Sequence, residues 1–241
     1  MIGYDRQQSI LKLLEEKRTT TVRELAAKVF ASEASVRRDL ETLEAQGYVK
    51  RVYGGVLLAR NTNTATPVGL REGDHAAAKN EIARRAAAMI PAGSTVMLDA
   101  SSTTRRILKY VENLENLRIF TNNLHVFEEV DRAGAEVDCT GGMYRPRSHA
   151  FVGPAAENFV RSVSVDILFF SSQGITEDGE ISDVCEEETH LRRVMLSRAK
   201  KKILLCDSSK IGVRGDFLLC RREDVDMIIC DKKLPWEETE G

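Results

Sequence analysis

The sequence has no apolar run that approaches the roughly 20 residues needed to cross a bilayer. Its first residues, M-I-G-Y-D-R-Q-Q, also lack the basic, apolar and small-residue pattern of a secretory signal. With 42% hydrophobic and 30% charged residues, the composition is that of a folded globular protein. We therefore expect a cytoplasmic protein without a membrane partner.

Cysteine and histidine are too few and too scattered to suggest a metal site. The 5 cysteines include no C-x-x-C pair and are odd in number, which indicates neither a zinc site nor a disulfide framework. The 4 histidines show no H-x-x-H or H-E-x-x-H spacing. We expect free thiols, no metal and no cofactor.

A strong excess of basic residues, which would indicate a broadly nucleic-acid-binding surface, is also absent, because the formal net charge is -2. The charge is uneven along the chain, however. Through Arg60 there are 11 Lys and Arg against 8 Asp and Glu, and the remainder has 24 against 29. A basic DNA-contacting module attached to an acidic domain would have this distribution.

The stretch from Ser32 to Gly55 has the pattern of a helix, a turn and a basic hairpin. Val36, Leu40 and Leu43 are spaced at i, i+4 and i+7, so they share one buried face of the helix. Arg38 points away from that face, beside small side chains. An arginine in this position can bind guanine bidentately in a major groove, where small neighbours allow close approach.

The residues around this helix predict a winged helix-turn-helix. A first helix is predicted from Asp5 to Lys17, and the capping-box pair of Thr21 and Glu24 opens a second one. Ser32 is the predicted N-cap of the third helix, which ends at a turn near Gly47. The hairpin that follows has Gly54-Gly55 at its tip. In the predicted DNA-binding set, Ser35 and Arg38 contact bases beside Ala34, while Arg37, Lys50 and Arg51 contact phosphate.

A small helical bundle with a solvated, charged face is the alternative interpretation of the N-terminal region. It would explain any one amphipathic helix. The ordered set of cap, turn, helix and basic hairpin favours the winged helix-turn-helix instead.

Beyond this module the pattern changes to alternating strands and helices. Residues 61–67, N-T-N-T-A-T-P, are polar and weakly patterned, and predict a linker between a domain at 1–60 and a second one at 68–241. Short apolar strands are predicted at 95–98, 117–120, 136–139, 165–170, 202–206 and 227–230, with helices at 68–88, 103–110, 126–130 and 187–199. This alternation predicts a doubly wound, largely parallel α/β domain.

Polar loops follow several of these strands and should meet at one edge of the sheet, where ligands bind. D-A-S-S-T-T offers hydroxyls and amides to an anion, T-N-N offers amide groups, a Gly-Gly pair allows close approach, and a lysine adds positive charge. Helix capping alone would explain any single loop, but four together predict a small, anionic, hydroxylated ligand. The predicted ligand-binding residues are Asp99, Ser101, Ser102, Thr103, Thr104, Thr121, Asn122, Asn123, Gly141, Gly142 and Lys210.

The run from Ser32 to Gly55 resembles the helix-turn-helix signature of DeoR-type bacterial transcriptional regulators, with R-R-D-L, then L-E-x-x-G, then G-G. D-A-S-S-T-T, T-N-N, Phe151-Val152-Gly153 and L-L-C-D-S-S-K match the sensor domain of that family in the same order. The family's sensor domain is related to ribose-5-phosphate isomerase and senses phosphorylated sugars or related metabolites. The resemblance implies a repressor that releases operator DNA when such a metabolite binds.

The chain departs from the family pattern at a few positions. Ala31 and Ser35 stand where valine and threonine are more usual. Ser101 stands where glycine is common in the D-x-G-T-T loop. We expect this difference to change the geometry of the phosphate site and the choice of ligand.

An active sugar-phosphate isomerase is the strongest alternative, with the N-terminal helices as an accessory module. Such chemistry needs a carboxylate base. Where the isomerase has D-G-A-D-E, this chain reads Ser171-Ser172-Gln173-Gly174-Ile175, and the isomerase's lysine- and glycine-rich loop is absent before Glu187. We therefore expect ligand binding without catalytic residues.

A second alternative is a scaffold whose N-terminal module binds protein. The outward Arg38 and the basic hairpin favour DNA as the partner instead. One recognition helix covers only a few base pairs, so repeated half-sites and a homo-oligomer, a dimer or larger, are expected. The metabolite, the operator and the regulated operon are not specified by these residues.

Overall fold

The computed structural model describes residues 3–17, 19–45, 48–53, 55–58, 73–111, 117–130 and 136–238. The chain divides into two units, Met1–Gly73 and Asp74–Gly241. The predicted linker at 61–67 lies outside the described residues, and so do residues 68–72 of the helix predicted to follow it. Gly47 of the predicted turn and Gly54 of the predicted hairpin tip are also outside them.

The N-terminal unit contains α1 (Gly3–Glu16), α2 (Val22–Lys28), α3 (Glu33–Ala45), β1 (Val49–Val52) and β2 (Gly55–Leu58). The two strands pair antiparallel, with Val49 opposite Leu58. The predicted capping box is present: the amide of Glu24 donates to the Thr21 hydroxyl, and the Thr21 amide donates to the Glu24 carboxylate. This is the order of a winged helix-turn-helix, as the sequence predicts.

The inner face of α3 is fixed by apolar packing and by one ion pair. Val36, Leu40 and Leu43 are fully buried in the core of this unit. On the same helix the buried carboxylate of Asp39 binds Arg6 of α1, with an Nε–Oδ2 distance of 2.5 Å and an Nη2–Oδ1 distance of 3.2 Å. Because the ion pair is directional, it sets the rotation of α3 about its axis more narrowly than apolar contact does.

Phe30 occupies a costly conformation in the turn between α2 and α3. Its φ is 51°, in the left-handed region, and its side chain is 93% exposed. The turn is held by the amide of Ala31, which donates to the carbonyl of Ala26 at 3.1 Å. A bulky residue in this region costs roughly 1–3 kcal/mol, and an exposed ring regains none of that cost by burial.

In the described residues of the second unit there are four α-helices and the remaining strands. The helices are α4 (Ala76–Ala87), α5 (Val126–Val130), α6 (Pro154–Ser162) and α7 (Glu186–Arg198), with short 3-10 segments at Thr104–Lys109, Ser208–Lys210, Arg222–Asp224 and Pro235–Glu238. The strands are β3 (Thr95–Leu98), β4 (Arg118–Thr121), β5 (Glu136–Cys139), β6 (Met143–Arg145), β7 (Ala150–Val152), β8 (Val165–Phe170), β9 (Gly174–Ile175), β10 (Glu180–Asp183), β11 (Ala199–Leu205), β12 (Phe217–Arg221) and β13 (Met227–Ile229).

Six of these strands form one parallel sheet in the order β13–β11–β8–β3–β4–β5. In the five strands of the sheet other than β5, alternate residues belong to different hydrophobic clusters, so both faces are covered. In β8, for example, Ile167 and Phe169 pack with α4, whereas Leu168 and Phe170 pack with α6 and α7. This is the doubly wound parallel arrangement that the alternation of strands and helices predicts.

Several elements differ from the prediction or were absent from it. The helix predicted at 103–110 is instead a 3-10 segment at Thr104–Lys109. The hairpin β6–β7, helix α6 and the antiparallel sheet β12–β10–β9 were not predicted. Most of these strands have only two to four residues, too few for an alternating pattern. No helix in the described ranges is long and apolar enough to cross a membrane.

The conformation of Phe30 leads to a prediction about stability. Phe30→Gly should raise the free energy of unfolding by about 1 kcal/mol, because glycine adopts a left-handed φ without strain. Urea denaturation of the full chain measures this. Phe30→Ala is the matched control, since it removes the ring but keeps the strain and should give no such gain. Equal effects of the two substitutions would contradict the prediction.

Candidate functional site

The predicted ligand-binding loops all lie at the carboxyl edge of the parallel sheet. From β11 to β5, the residues that leave this edge are Asp207, Ser171, Asp99, Asn122 and Thr140. The D-A-S-S-T-T loop follows β3, between β8 and β4, so it is central. The structure thus brings the four predicted loops to one edge, with the Ser171 loop among them.

Asp99 is a buried carboxylate whose two oxygens are both bound by this chain. Oδ1 accepts hydrogen bonds from the Ser101 amide at 3.1 Å and the Thr104 hydroxyl at 3.0 Å. Oδ2 accepts from the Ser171 amide at 3.1 Å and from Nε of Arg192 at 2.8 Å. The side chain therefore holds the loop in place and joins it to β8 and α7.

The loop hydroxyls divide into two kinds. Ser101 donates to the Thr104 hydroxyl at 2.9 Å and accepts from the Thr104 amide at 3.1 Å, so both serve the loop itself. This is the structural use of the serine that stands where the family commonly has glycine. The hydroxyls of Ser102 and Thr103 make no side-chain hydrogen bond to any described residue, and they remain the candidate donors of the loop.

In the T-N-N loop the side chains mainly secure the chain. Thr121 donates to the carbonyl of Leu98 at 2.8 Å and accepts from the Asn123 amide at 3.0 Å. Asn122 donates from Nδ2 to the carbonyl of Phe151 at 3.0 Å, which attaches β7 to this loop. Its Oδ1 is buried and accepts no hydrogen bond from a described residue.

The two glycines after β5 are required by backbone conformation and packing. Both have left-handed φ values, 61° at Gly141 and 109° at Gly142. A Cβ at Gly142 would lie 2.6 Å from the carbonyl oxygen of Val152. Close approach of β7 therefore explains the second glycine without a ligand.

Lys210 lies at the same edge through its contacts with the Ser171 loop. Its Nζ donates to the Ser171 hydroxyl and to the Ser172 carbonyl, both at 2.7 Å. The 3-10 turn that carries it is anchored by Asp231, which accepts from the Ser208 amide at 2.6 Å and hydroxyl at 3.1 Å. Since the Ser171 amide also binds Asp99, the lysine and the central loop share a neighbour.

The sequence prediction missed the residues around Arg192. This guanidinium is buried and binds three carboxylates: Asp99, Asp183, and Glu188 at 3.1 Å. Burial alone would lower the pKa of Arg192, but the three carboxylates override it and raise the pKa. The i, i+4 spacing of Glu188 and Arg192 signals a helical pair, whereas no sequence pattern joins either residue to Asp99.

The candidate DNA-contact residues lie on α3 and the hairpin. Ala34, Arg37, Arg38 and Lys50 are exposed and Ser35 is half-buried. Arg37 pairs with Glu33 at 2.9 Å, and Arg51 is bound through Nε by Glu44 at 2.8 Å. Within the described part of the chain, Arg38 takes part in no ion pair.

Within the described ranges, no cluster of histidine, cysteine or carboxylate side chains could hold a metal ion.

Comparison with known families gives two matches that together span most of the chain. Residues 6–62 match the DeoR-like helix-turn-helix domain, and residues 74–232 match the DeoR C terminal sensor domain.

Individual proteins agree with these matches. The chain is 30% identical over 235 residues to the HTH-type transcriptional regulator GolR of Listeria innocua, covering 97% of this chain and 92% of that protein. It is also 30% identical over 240 residues to a putative aga operon transcriptional repressor of Escherichia coli O157:H7, covering 98% and 89%. Among solved structures, ribose 5-phosphate isomerase from Plasmodium falciparum is similar over 55% of this chain and 52% of that chain, with a TM-score of 0.40 and 14% identity.

The anchor of the Lys210 turn leads to a pH prediction. Burial alone would raise the pKa of Asp231, but the hydrogen bonds from Ser208 lower it below its ordinary value. A carboxyl group of this kind stabilises the fold above its unfolded pKa of about 3.9, and the contribution is lost as the pH falls through the folded pKa. Asp231→Asn should therefore lower the urea midpoint at neutral pH, and its difference from the parent should shrink below about pH 4. A difference that stays constant into the acid range would contradict this.

Proposed function

The chain belongs to the DeoR family of helix-turn-helix transcriptional regulators, and from this we propose that it represses a carbohydrate-metabolism operon and leaves its operator DNA when a phosphorylated sugar or related metabolite binds the second unit. The existence of an operator for this chain, the class of metabolite and the repression of the operon are what we propose. We also propose a cytoplasmic homo-oligomer, because one recognition helix covers too few base pairs for a specific site.

The observation that carries the DNA-binding part is the outer face of α3. Arg38 is exposed there and makes no ion pair with a described residue, so its guanidinium can bind guanine without giving up a carboxylate. Ala34 and Ser35 beside it are small, which allows the helix to approach the bases. Arg37, Lys50 and Arg51 flank this face and are proposed to contact phosphate.

The ligand-binding part is supported by the carboxyl edge of the sheet. The central loop is closed on itself by Asp99, Ser101 and Thr104, which leaves Ser102 and Thr103 to face a ligand. Lys210 supplies a cation beside the loop through the Ser171 contacts. Thr121, Asn122, Asn123, Gly141 and Gly142 are proposed to shape the same pocket, chiefly by holding the loops that border it.

The isomerase alternative is not supported. The residues after β8, where catalytic carboxylates would be needed, are Ser171 and Ser172, and both accept hydrogen bonds from Lys210. The related proteins named above are regulators rather than enzymes.

The salt dependence of binding distinguishes a DNA-binding protein from a protein-binding scaffold. Affinity for DNA falls by about 0.9 log units per log unit of salt for each phosphate neutralised.

The experiment that tests the proposal combines ligand stabilisation with DNA release. Hexose, pentose, amino-sugar and glycerol phosphates are screened by thermal shift on the full chain. A ligand at 100 times its dissociation constant should add about 2.7 kcal/mol of stability. The same compound should then release a duplex that the protein itself selects from a random pool. Stabilisation without release would leave a sensor that does not control DNA binding.

Arg38→Ala should cost roughly 1–3 kcal/mol of binding to the selected duplex and little on random DNA, because it removes a base contact. Arg37→Ala is the matched control, since loss of a phosphate contact weakens binding to both DNAs alike. Fluorescence anisotropy at constant salt measures both. Equal losses on the two DNAs for Arg38→Ala would show that it binds only phosphate.

Lys210→Ala should leave DNA affinity intact and blunt release by the sugar phosphate, because it removes the cation beside the loop. Lys200→Ala is the matched control: this lysine binds Asp166 at the opposite edge of the sheet, with an Nζ–Oδ1 distance of 2.8 Å. Release is titrated at fixed DNA concentration. Unchanged release by the Lys210 variant would remove Lys210 from the pocket.

A further inference from the structure

A buried cluster of four charged side chains lies next to the central loop. Asp99, Asp183, Glu188 and Arg192 are all at least nine-tenths buried. Three carboxylates therefore share one guanidinium. Buried charges are costly unless they are paired, so each carboxylate depends on the same arginine.

The arginine uses a different nitrogen for each partner. Nε binds Asp99, Nη1 binds Asp183 and Nη2 binds Glu188. The planar fork of a guanidinium can serve three directions at once, whereas a lysine ammonium is a single point charge on a flexible stem. The geometry thus requires an arginine and not merely a cation.

The three carboxylates belong to different parts of the fold. Asp99 begins the loop after β3, Asp183 ends β10, and Glu188 is in the first turn of α7. Arg192 therefore ties the loop to the antiparallel sheet and to a helix. Of these attachments, only the one to Asp99 leads directly to the loop hydroxyls.

We infer that Arg192 is a positioning residue for the ligand loop, acting through Asp99; the inference rests on the proposed sugar-phosphate site. With Oδ2 held by Arg192 and by the Ser171 amide, Oδ1 is aimed at the Ser101 amide and the Thr104 hydroxyl. These contacts close the loop around Ser102 and Thr103. The hydroxyls and amides of the loop are then in place before the ligand arrives, which lowers the ordering cost of binding.

Removal of the arginine should act on ligand binding beyond its effect on folding. Without it, the buried Asp99 carboxylate loses the charged donor that fixes Oδ2, and a carboxylate that turns away weakens its hold on Ser101 and Thr104. The loop then samples open conformations, and each ligand that binds must close it. An arginine elsewhere on α7 should lack this effect even where it contributes to stability.

The test compares Arg192→Met with Arg192→Lys, Asp99→Asn and the double variant Asp99→Asn/Arg192→Met. Arg198→Met is the matched control, because Arg198 ends the same helix and binds the Val163 carbonyl and the Ser164 hydroxyl, both at 2.7 Å. Affinity is measured by calorimetry on the full chain, at a temperature where each variant is folded. The probes are inorganic phosphate and the sugar phosphate that gives the largest thermal shift with the parent.

Arg192→Met should lower the affinity for the sugar phosphate by about tenfold or more, while the affinity for the selected DNA duplex stays the same. Arg192→Lys should recover part of the loss, because it restores a charge near Asp99. The double variant should lose no more than the worse single variant, since both substitutions break the same Asp99–Arg192 contact. Arg198→Met should lower the melting temperature without changing the affinity for either probe.

Parent-like affinity in a folded Arg192→Met variant, or full additivity of the two single losses, would overturn the inference. If Arg192→Met does not fold, parent-like affinity in Arg192→Lys overturns it equally. These outcomes differ from failure of the proposed function, in which the parent itself binds none of the sugar phosphates. A loss of DNA affinity that parallels the loss of ligand affinity would indicate a general structural role and would also count against it.

Discussion

The pairing of Asp99 with Arg192 is the interaction on which the carboxyl edge of the sheet depends. Burial of a carboxylate at the end of a central strand is costly unless a cation and several donors bind it. The chain supplies these from the loop itself, from β8 and from α7, so three elements must be in place before the loop has its shape. The shape of the proposed ligand loop is thus a property of the assembled sheet and not of the D-A-S-S-T-T sequence alone.

Sequence patterns predicted the fold because its long-range order follows from short-range signals. The spacing of Val36, Leu40 and Leu43 specifies the buried face of α3, and the Thr21–Glu24 pair specifies where α2 begins. Alternation of apolar strands with helices then leaves few topologies other than a parallel sheet. The hairpin β6–β7 was not predicted, because strands of three residues have too little pattern and their pairing is set by contacts with the T-N-N loop.

The sequence predicted that the polar loops lie at one edge of the sheet, but not the roles of their residues. Polar residue types at strand ends indicate an edge where ligands bind, yet they do not reveal which atoms are already occupied. Asp99, Ser101 and Thr121 have the residue types expected of ligand contacts, but their polar atoms hold the loops. Arg192 was missed for the converse reason: its partners are distant in sequence, and only the closed sheet brings them together.

The ion pairs on the N-terminal unit have a consequence for the salt dependence of its binding to DNA. Glu33 binds Arg37, and Glu44 binds Arg51, so these arginines already have intramolecular counterions. If these arginines bind phosphate as proposed, they exchange one anionic partner for another, and the displaced carboxylates stay near the surface and repel the DNA backbone. The number of cations released from DNA should then follow the net charge of the contact face rather than its number of arginines. Arg38, which makes no such pair with a described residue, gives up no partner when it binds.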